Sequence, residues 1–385
     1  MPARGTDVPE GLRVGILGGG QLARMLALAG IPLGCDFVFL DPSPNACAAR
    51  AGRLIQAGFS DLEAVRSMAA EIDVATFDFE NVSADSARAL AELRPLRPSV
   101  AVLEQCQDRL AEKDLLGGLE IPVPAYRPVA SRPELLAAVE TIGLPAVLKT
   151  RRLGYDGKGQ VVLRSAEDLE HAWHRLGDSG LILEEFIPFS CECSLLTARS
   201  ARGEVRSWEL TRNVHADGVL TLSMPGGFSG SVQRQAEEIS QRLLEHWQYV
   251  GVMAVEFFVH DGSLLVNEIA PRVHNSGHWT IDAAETSQFE NHLRAILGWP
   301  LGDTAMTSDA VMFNWIGSLP EREQLLSTPG LHQHDYGKTA RPGRKLGHAT
   351  LTAADRHGLL QRSTALAAQL EGDWPKLLSS LFAAA

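Results

Sequence analysis

The 385-residue chain has no long apolar run. None of its segments reaches the roughly eighteen uninterrupted apolar residues that a membrane helix requires. Residues 1–11 are polar, carry Pro2, Gly5 and Pro9, and lack the apolar stretch of a secretory leader. Both points lead to an expected cytoplasmic location without a membrane partner. Positive charge is also scarce: 35 Lys and Arg stand against 47 Asp and Glu, for a net charge of −12. That balance excludes a general nucleic-acid binder, whose affinity rests on neutralising phosphates. It leaves room for a nucleotide site, where a few local cations suffice. The five cysteines are odd in number and contain no C-x-x-C pair, so neither a disulfide framework nor a zinc site is indicated. Cys191 and Cys193 flank Glu192 in a strand-like stretch and are expected on one face as small hydrophobes. Internal repeats and low-complexity tracts are missing.

What is present is globular: 45% hydrophobic and 21% charged residues, in a chain long enough for two or three domains. Arg13–Leu17 is an apolar run followed by Gly18-Gly19-Gly20 and a helical stretch from Gln21 to Ala29. A second run, Asp36–Leu40, ends in Asp41-Pro42. Strand and helix alternate through Asp73–Phe77 and the helical Ser83–Leu93, as in a parallel α/β unit. Its ligand crevice belongs at the carboxyl ends of the strands, where Gly18–Gln21, Asp41 and Glu80 fall. Glu104–Leu116 reads as one helix between prolines, and a first boundary is placed near residue 120. Short strands, glycine turns and helices follow, an α+β pattern. The last eighty or so residues combine the strand-like Ala310–Ile316 with turns such as Arg341-Pro342-Gly343, then a helical tail, Ala354–Leu370.

Gly18 and Gly20, with Ala23 in the third position, approach the G-x-G-x-x-G dinucleotide fingerprint, and Asp41 stands where a ribose-binding acid would be. The same segment is equally well a tight βα turn. A second loop is more specific. Lys149 closes the apolar run Pro145–Leu148, and Arg151–Gln160 carries Gly154, Gly157 and Gly159 beside Arg151, Arg152 and Lys158. Such a flexible cationic hairpin can close over a polyphosphate with backbone N–H groups and lysine. It lacks the Ser or Thr after Lys158 that a P-loop needs. Lys149, finishing an apolar strand, is expected to reach outward to a partner.

Val252–Val259 and Leu264–Ala270 read as a hairpin around His260-Asp261-Gly262-Ser263. Each strand carries one acid in an apolar run, Glu256 and Glu268, and buried unpaired carboxylates are costly. A three-residue loop or a bulge would bring the two acids onto one face; a plain two-residue Asp261-Gly262 turn would instead oppose Glu256 to Asn267. Convergent hard oxygens suit magnesium, whereas the competing reading pairs both acids with arginines such as Arg272. Glu184-Glu185-Phe186-Ile187 ends the strand Leu181–Leu183 and suits a nucleotide hinge. Arg272, His274, Asn275, Ser276 and His278 offer donors to anionic or hydroxyl groups. Their H-x-x-x-H spacing is not read as a metal site, because Asn275 and Gly277 disfavour helix. Arg341–His348 forms a second cationic cluster, fit for a phosphate monoester.

Taken in order, Gly18–Met25, Lys149–Gln160, Asn267–Trp279 and Arg341–Lys345 resemble the N5-carboxyaminoimidazole ribonucleotide synthetase family, from about residue 13 to 348. The resemblance implies an ATP-grasp fold: an N-terminal Rossmann-like pre-ATP-grasp α/β domain (1–119), an α+β ATP-grasp domain (120–305) and a small, β-rich C-terminal domain (306–385). It implies ATP contacts at Arg109, Lys149, Gly154, Tyr155, Asp156, Gly157, Lys158, Gly159, Gln160, Glu184, Glu185, Phe186, Ile187, Glu192, His215, Asn267 and Glu268. Magnesium would sit on Glu256 and Glu268. Ribonucleotide and bicarbonate contacts would fall on Gln21, Leu22, Glu80, Tyr155, Asp156, Arg272, His274, Asn275, Ser276, Arg344 and Lys345. One departure is Leu153, at a loop position often glycine in that family, which restricts φ.

The implied reaction joins aminoimidazole ribonucleotide, bicarbonate and ATP in purine biosynthesis through carboxyphosphate. Lys149 would neutralise phosphoryl charge, Arg272 would hold bicarbonate, and Asp156 or a substrate phosphate oxygen would take the amine proton. A homodimer and a separate mutase that receives the product are expected. The alternatives are another ATP-grasp carboxylate–amine ligase of purine metabolism, an NAD-dependent oxidoreductase built on Gly18–Ala23, and a catalytically silent nucleotide-sensing module.

Overall fold

The computed structural model describes residues 11–154, 157–177 and 180–383. Tyr155 and Asp156, both proposed for the site, lie outside the described residues. A parallel sheet comes first: β1 (Leu12–Leu17), β2 (Cys35–Asp41), β3 (Arg53–Gln56) and β4 (Val74–Phe77), in the order β3-β2-β1-β4. A second, four-stranded antiparallel sheet holds β5 (Tyr126–Val129), β6 (Ala146–Thr150), β7 (Gln160–Leu163) and β8 (Leu181–Glu185), in the order β5-β8-β6-β7. The third sheet has nine strands: β9 (Cys191–Arg199), β10 (Val205–Ser207), β11 (Thr211–Ala216), β12 (Val219–Pro225), β13 (Gly251–His260), β14 (Ser263–Ala270), β15 (Asp309–Ile316), β16 (Leu331–Asp335) and β17 (Lys345–Ala353). Its order is β14-β13-β9-β11-β12-β15-β17-β16, with β10 beside β9. Among the described residues, no helix is long and apolar enough to cross a membrane.

Packing between sheets positions the site. The helix Gln21–Gly30 turns Leu22 and Leu26 toward Phe289 and Leu293 of the helix Gln288–Leu297, in one core with Val252 and Ala254 of β13. Each such side chain contributes roughly 1.5–3 kcal/mol by burial. Buried His292 spans the two layers: Val252 N–H donates to Nδ1 at 3.0 Å, so the other nitrogen, Nε2, carries the proton toward Thr76 Oγ1 at 2.9 Å. Burial holds its pKa down to about 3, so it bridges as a neutral ring.

Two helical expectations change. Glu104–Leu116 is not one helix but two, Val100–Cys106 and Arg109–Gly118. Asp108 separates them because its extended backbone and its carboxylate, which accepts from Leu110 N–H at 3.1 Å, cap the second. The expected tail is Arg356–Ala367, capped by Asp355, and a further helix, Trp374–Ala383, follows it. Cys193 is buried in the same core that Cys191 packs against, as small hydrophobes.

Candidate active site

A cleft of about 530 Å³ opens where the three sheets meet. Its floor is the β13–β14 hairpin. The turn is the two-residue Asp261-Gly262 type, with His260 opposite Ser263. On that register alone Glu256 would oppose Asn267. The pairing shifts between Glu256 and Phe257, however, so Phe257 faces Val266, Glu256 faces Glu268, and Asn267 is the extra residue of a bulge. Both acids therefore share one face and line the cleft, with Asn267 between the strands' paired positions.

The bulge is held from behind. Lys113, buried on the helix Arg109–Gly118, donates to the carbonyls of Val266 (2.9 Å) and Asn267 (2.8 Å). Burial lowers its pKa, and neighbouring Glu184 and Glu112 oppose that. Arg109, one turn earlier, donates to Glu268 at 2.7 Å and to Gly154 O at 3.4 Å, linking the metal-candidate acid to the cationic loop. Burial raises the Glu268 pKa less than Arg109 and Lys149 lower it, so it is an ionised carboxylate. Glu112, buried against the same cleft, is pushed the other way by desolvation and by the Glu268 charge. Neither Glu112 nor Lys113 is distinguishable in sequence from an exposed helical charge pair.

Glu256 takes a different partner. His274 Nε2 lies 3.2 Å from Glu256 Oε1. Behind it runs a buried chain: Ser223 donates to Asn213 Oδ1, Asn213 Nδ2 to Ser194 Oγ, and Ser194 to Ser276 Oγ, which meets His274 Nδ1 at 2.9 Å. Ser276 N–H also points at Nδ1, which makes that nitrogen an acceptor and sets the ring proton on Nε2, toward Glu256. Ser276 was expected to touch substrate; fully buried, it instead orients His274. The arginine reading of the acids is half right, with Arg109 on Glu268 and Arg272 elsewhere.

The loop after β6 forms one wall. Lys149 does not end its strand or reach outward: β6 runs to Thr150, and Nζ is buried, 2.8 Å from Glu184 Oε2 and 3.5 Å from Asn267 Oδ1. Burial pushes Glu184 up, but Lys149, Lys113 and Arg109 hold it at about 2. Glu184 Oε1 is buried with no hydrogen-bond partner among the described residues. Glu184, Glu185, Phe186 and Ile187 do not line the cleft, whereas Gly154, Gly157, Lys158, Gln160, Glu192 and His215 do. Glu192 accepts from His215 at 2.8 Å and raises its pKa against the opposing effect of burial. Arg151 makes two bonds to Asp108, at 2.9 and 2.6 Å, anchoring the loop to the helix start. Leu153 adopts a left-handed φ of 62° with 71% of its surface exposed.

The opposite wall comes from the parallel sheet. The Gly18–Gly20 turn does precede a helix N-terminus, but an internal carboxylate fills it. Asp78 accepts from Gly20 N–H at 2.8 Å and Ala23 N–H at 3.3 Å, and Asp41 accepts from Gly19 N–H at 2.8 Å. A Cβ at Gly18, where φ is +109°, would come within 1.6 Å of Asp78 Oδ1. This turn is shaped around Asp78, and a dinucleotide pyrophosphate has no place there. Desolvation raises Asp78 to about 6 against those two N–H bonds. Glu80 and Arg272 form an ion pair, and Arg272 also donates to Val273 O at 3.0 Å. Gln21 lines the cleft and accepts from Lys338, whose ammonium stands 5.5 Å from the Tyr336 ring centre. Sequence reasoning missed Lys338; its signal was a lone lysine after an aromatic and glycine. Leu22 and Lys345 also line the cleft, but Arg344, which donates to Thr339 O, does not. Asn275 is only 8% exposed, lines the cleft, and leaves both amide atoms without hydrogen-bond partners among the described residues. Buried amides left open this way mark where a polar ligand belongs.

Comparison with known proteins agrees with this geometry. Residues 12–107 match the ribonucleotide synthetase preATP-grasp domain, 114–289 the ATP-grasp domain, and 310–362 the phosphoribosylaminoimidazole carboxylase C-terminal domain. The chain is 49% identical over 360 residues to the N5-carboxyaminoimidazole ribonucleotide synthase of Pseudomonas aeruginosa, covering 94% of this chain and 100% of that one. The Brucella melitensis enzyme of the same name is 44% identical, with 90% and 97% covered. The crystal structure of the Thermus thermophilus synthetase superposes with a TM-score of 0.89 at 48% identity, covering 94% and 100%. An Aspergillus clavatus synthase in complex with ADP and 5-aminoimidazole ribonucleotide gives 0.86 at 30% identity, covering 93% and 98%. The chain belongs to the N5-carboxyaminoimidazole ribonucleotide synthase family, with the ATP-grasp fold.

Proposed function

We propose that this chain uses ATP to carboxylate 5-aminoimidazole ribonucleotide with bicarbonate, releasing N5-carboxyaminoimidazole ribonucleotide, ADP and phosphate in purine biosynthesis. The observation that carries the reading is the bulge that sets Glu256 opposite Glu268 within the cleft that Gly154, Gly157, Lys158 and Gln160 also line. Two hard carboxylates on one face, one ionised against Arg109, are the donor chemistry that a magnesium ion requires. Glu256 and Glu268 would hold that ion, which when bound neutralises charge on the transferring phosphoryl group.

The remaining work falls to the chain's own groups. Lys149, Lys158 and the loop N–H groups bind the ATP phosphates; Glu192 and His215 contact the nucleotide. Bicarbonate is a poor electrophile, so an oxygen of it takes the γ-phosphoryl group and ADP leaves. Arg272 orients the resulting carboxyphosphate. The ribonucleotide amine then takes the carboxyl group, by direct attack on carboxyphosphate or on carbon dioxide released from it, phosphate departs, and Asp156 or a phosphate oxygen accepts the amine proton. Gln21, Glu80, Asn275 and Lys345, with Lys338 behind Gln21, bind the ribonucleotide. Loop closure excludes water, which would decompose carboxyphosphate.

The domain bounds 1–119, 120–305 and 306–385, a homodimeric assembly, a cytoplasmic location and transfer of the product to a separate mutase belong to the same proposal. The test is ADP release with magnesium-ATP, bicarbonate and 5-aminoimidazole ribonucleotide, each omitted in turn. Turnover that requires all three, with an acid-labile carboxylated product, supports the reading. ADP release that ignores the ribonucleotide would sink the acceptor assignment and favour another ATP-grasp ligase.

A further inference from the structure

Away from the cleft floor, a second group of ligating side chains gathers where the helix Thr280–Ala283 meets β16 and β17. Asp282, His334 and His348 each place one ligand atom within 4.8 Å of the others. His334 and His348 are directly opposed on β16 and β17 with rings stacked at 4.4 Å and 12° from parallel, so the partly exposed His334 ring must turn for both in-plane lone pairs to reach one ion. His334 Nε2 lies 2.8 Å from Asp282 Oδ2. His332, two residues before His334 and so on the same face of β16, brings Nδ1 to 4.0 Å from the other Asp282 oxygen.

The independent observation is His348. Its side chain is fully buried, Tyr336 holds Nδ1 at 2.8 Å, and Nε2 has no hydrogen-bond partner among the described residues. A buried imidazole nitrogen seldom goes unpaired, because its desolvation is then uncompensated. With Nδ1 occupied by the tyrosine hydroxyl, Nε2 is the nitrogen left for a ligand, and such outer-shell anchoring of the distal nitrogen is the usual arrangement around metal-bound histidines.

We propose that Asp282, His334 and His348 form a binding site for a borderline divalent cation of the zinc class, with His332 or water as fourth ligand. Two or three imidazoles and one carboxylate suit tetrahedral zinc, and nitrogen donors disfavour magnesium or calcium. The ion takes the place of the Nε2–H that His334 directs at Asp282, and the neutral ring binds it as the Nδ1–H tautomer, its proton moving from Nε2 to Nδ1 by way of solvent. His332 keeps half of its side chain exposed and provides the entry side. The ligands tie two segments together. Asp282 follows the Arg272–Asn275 stretch of the cleft within a turn or two, and His334 and His348 flank Lys338 and Lys345. Occupancy therefore adds a tie between two parts of the substrate wall that already meet at the Asp282–His334 contact and in the core around Tyr336.

The experiment uses the full chain, stripped with chelator and titrated with Co²⁺ and then Zn²⁺, without magnesium or nucleotide. One equivalent of Co²⁺ is expected to give the visible absorption of a tetrahedral nitrogen–oxygen site, displaced by one equivalent of Zn²⁺. Asp282→Asn and His334→Gln, which preserve size at partly accessible positions, should weaken binding by at least about tenfold. Zn²⁺ should raise the melting temperature of the native chain and not of these variants. The Glu256→Gln/Glu268→Gln double variant should retain the bands. Absence of saturable Co²⁺ binding overturns the proposal, as do bands unchanged in both Asp282→Asn and His334→Gln. Bands that vanish in the Glu256→Gln/Glu268→Gln variant would place the ion at the ATP site and overturn it equally.

Discussion

Lys113 donates from a buried ammonium to the carbonyl of Asn267 at 2.8 Å, and with its bond to Val266 O it fixes the bulge that brings Glu256 opposite Glu268. A helix in one part of the fold thus sets the register of the carboxylates in another. Lys113→Met fills similar space but leaves two carbonyls unsatisfied, each costing about 1–3 kcal/mol. The expected result is a urea midpoint lowered with unchanged slope, and a raised KM for magnesium-ATP. A variant with native KM would show that the bulge holds its own shape.

The two acids should separate folding from chemistry. Glu256→Gln keeps an acceptor for His274, and Glu268→Gln weakens only a partly exposed ion pair with Arg109, 38% exposed on the glutamate side. Exposed pairs contribute little to stability. Both variants should melt close to the native chain. ADP formation should fall by roughly 10²–10³, the usual loss when preorganised charge stabilisation is removed. Steady-state ADP release, read beside thermal melting, checks both halves; activity within threefold of native would remove the carboxylates from the phosphoryl site.

Asp78 makes a signed prediction about pH. Its folded pKa is raised, from an ordinary 3.8 to about 6, by burial. The folded state therefore holds the proton more tightly than the unfolded state across that interval. Stability from this group is fully present below about pH 4 and is lost as pH rises toward 6, by an amount of order 3 kcal/mol if fully expressed. Asp78→Asn keeps an oxygen for Gly20 N–H but cannot ionise. Its stability relative to the native chain should improve steadily from pH 4 to 6.5 and then level off. Parallel stability profiles would show that Asp78 is solvated enough to titrate normally.

Much of this was legible in the residues, and the parts that were not have physical reasons. The parallel unit and the β13–β14 hairpin follow from alternation and turn chemistry, which left the length of the hairpin's turn open. The bulge does not, because it depends on Lys113, more than 150 residues away. One apparent helix became two because Asp108 prefers to cap rather than continue. Gly18–Gly20 announced an anion at a helix start, and the anion proved to be Asp78 of the chain itself. Lys149 looked outward because a buried lysine is expensive alone; Glu184, on the neighbouring strand, removes the objection. A partner distant in the chain decides all of these cases but the local Asp108 cap, and a single sequence does not display such partners.

Leu153 tests whether the phosphate loop is strained as it stands. A leucine in the left-handed region costs roughly 1–2 kcal/mol, and its side chain, 71% exposed, recovers little by packing. Glycine removes that strain but adds backbone freedom to the unfolded chain, worth about 0.4–1 kcal/mol. Leu153→Gly should therefore leave global stability within about 1 kcal/mol of native. Leu153→Val, branched at Cβ, fits positive φ worse than leucine. It should push the loop away from the arrangement in which Gly154 O meets Arg109, and weaken ATP binding while the melting temperature holds. Nucleotide affinity by calorimetry decides the matter. Valine and glycine variants with equal affinity would mean that the loop takes up its ATP-bound form without regard to φ at residue 153.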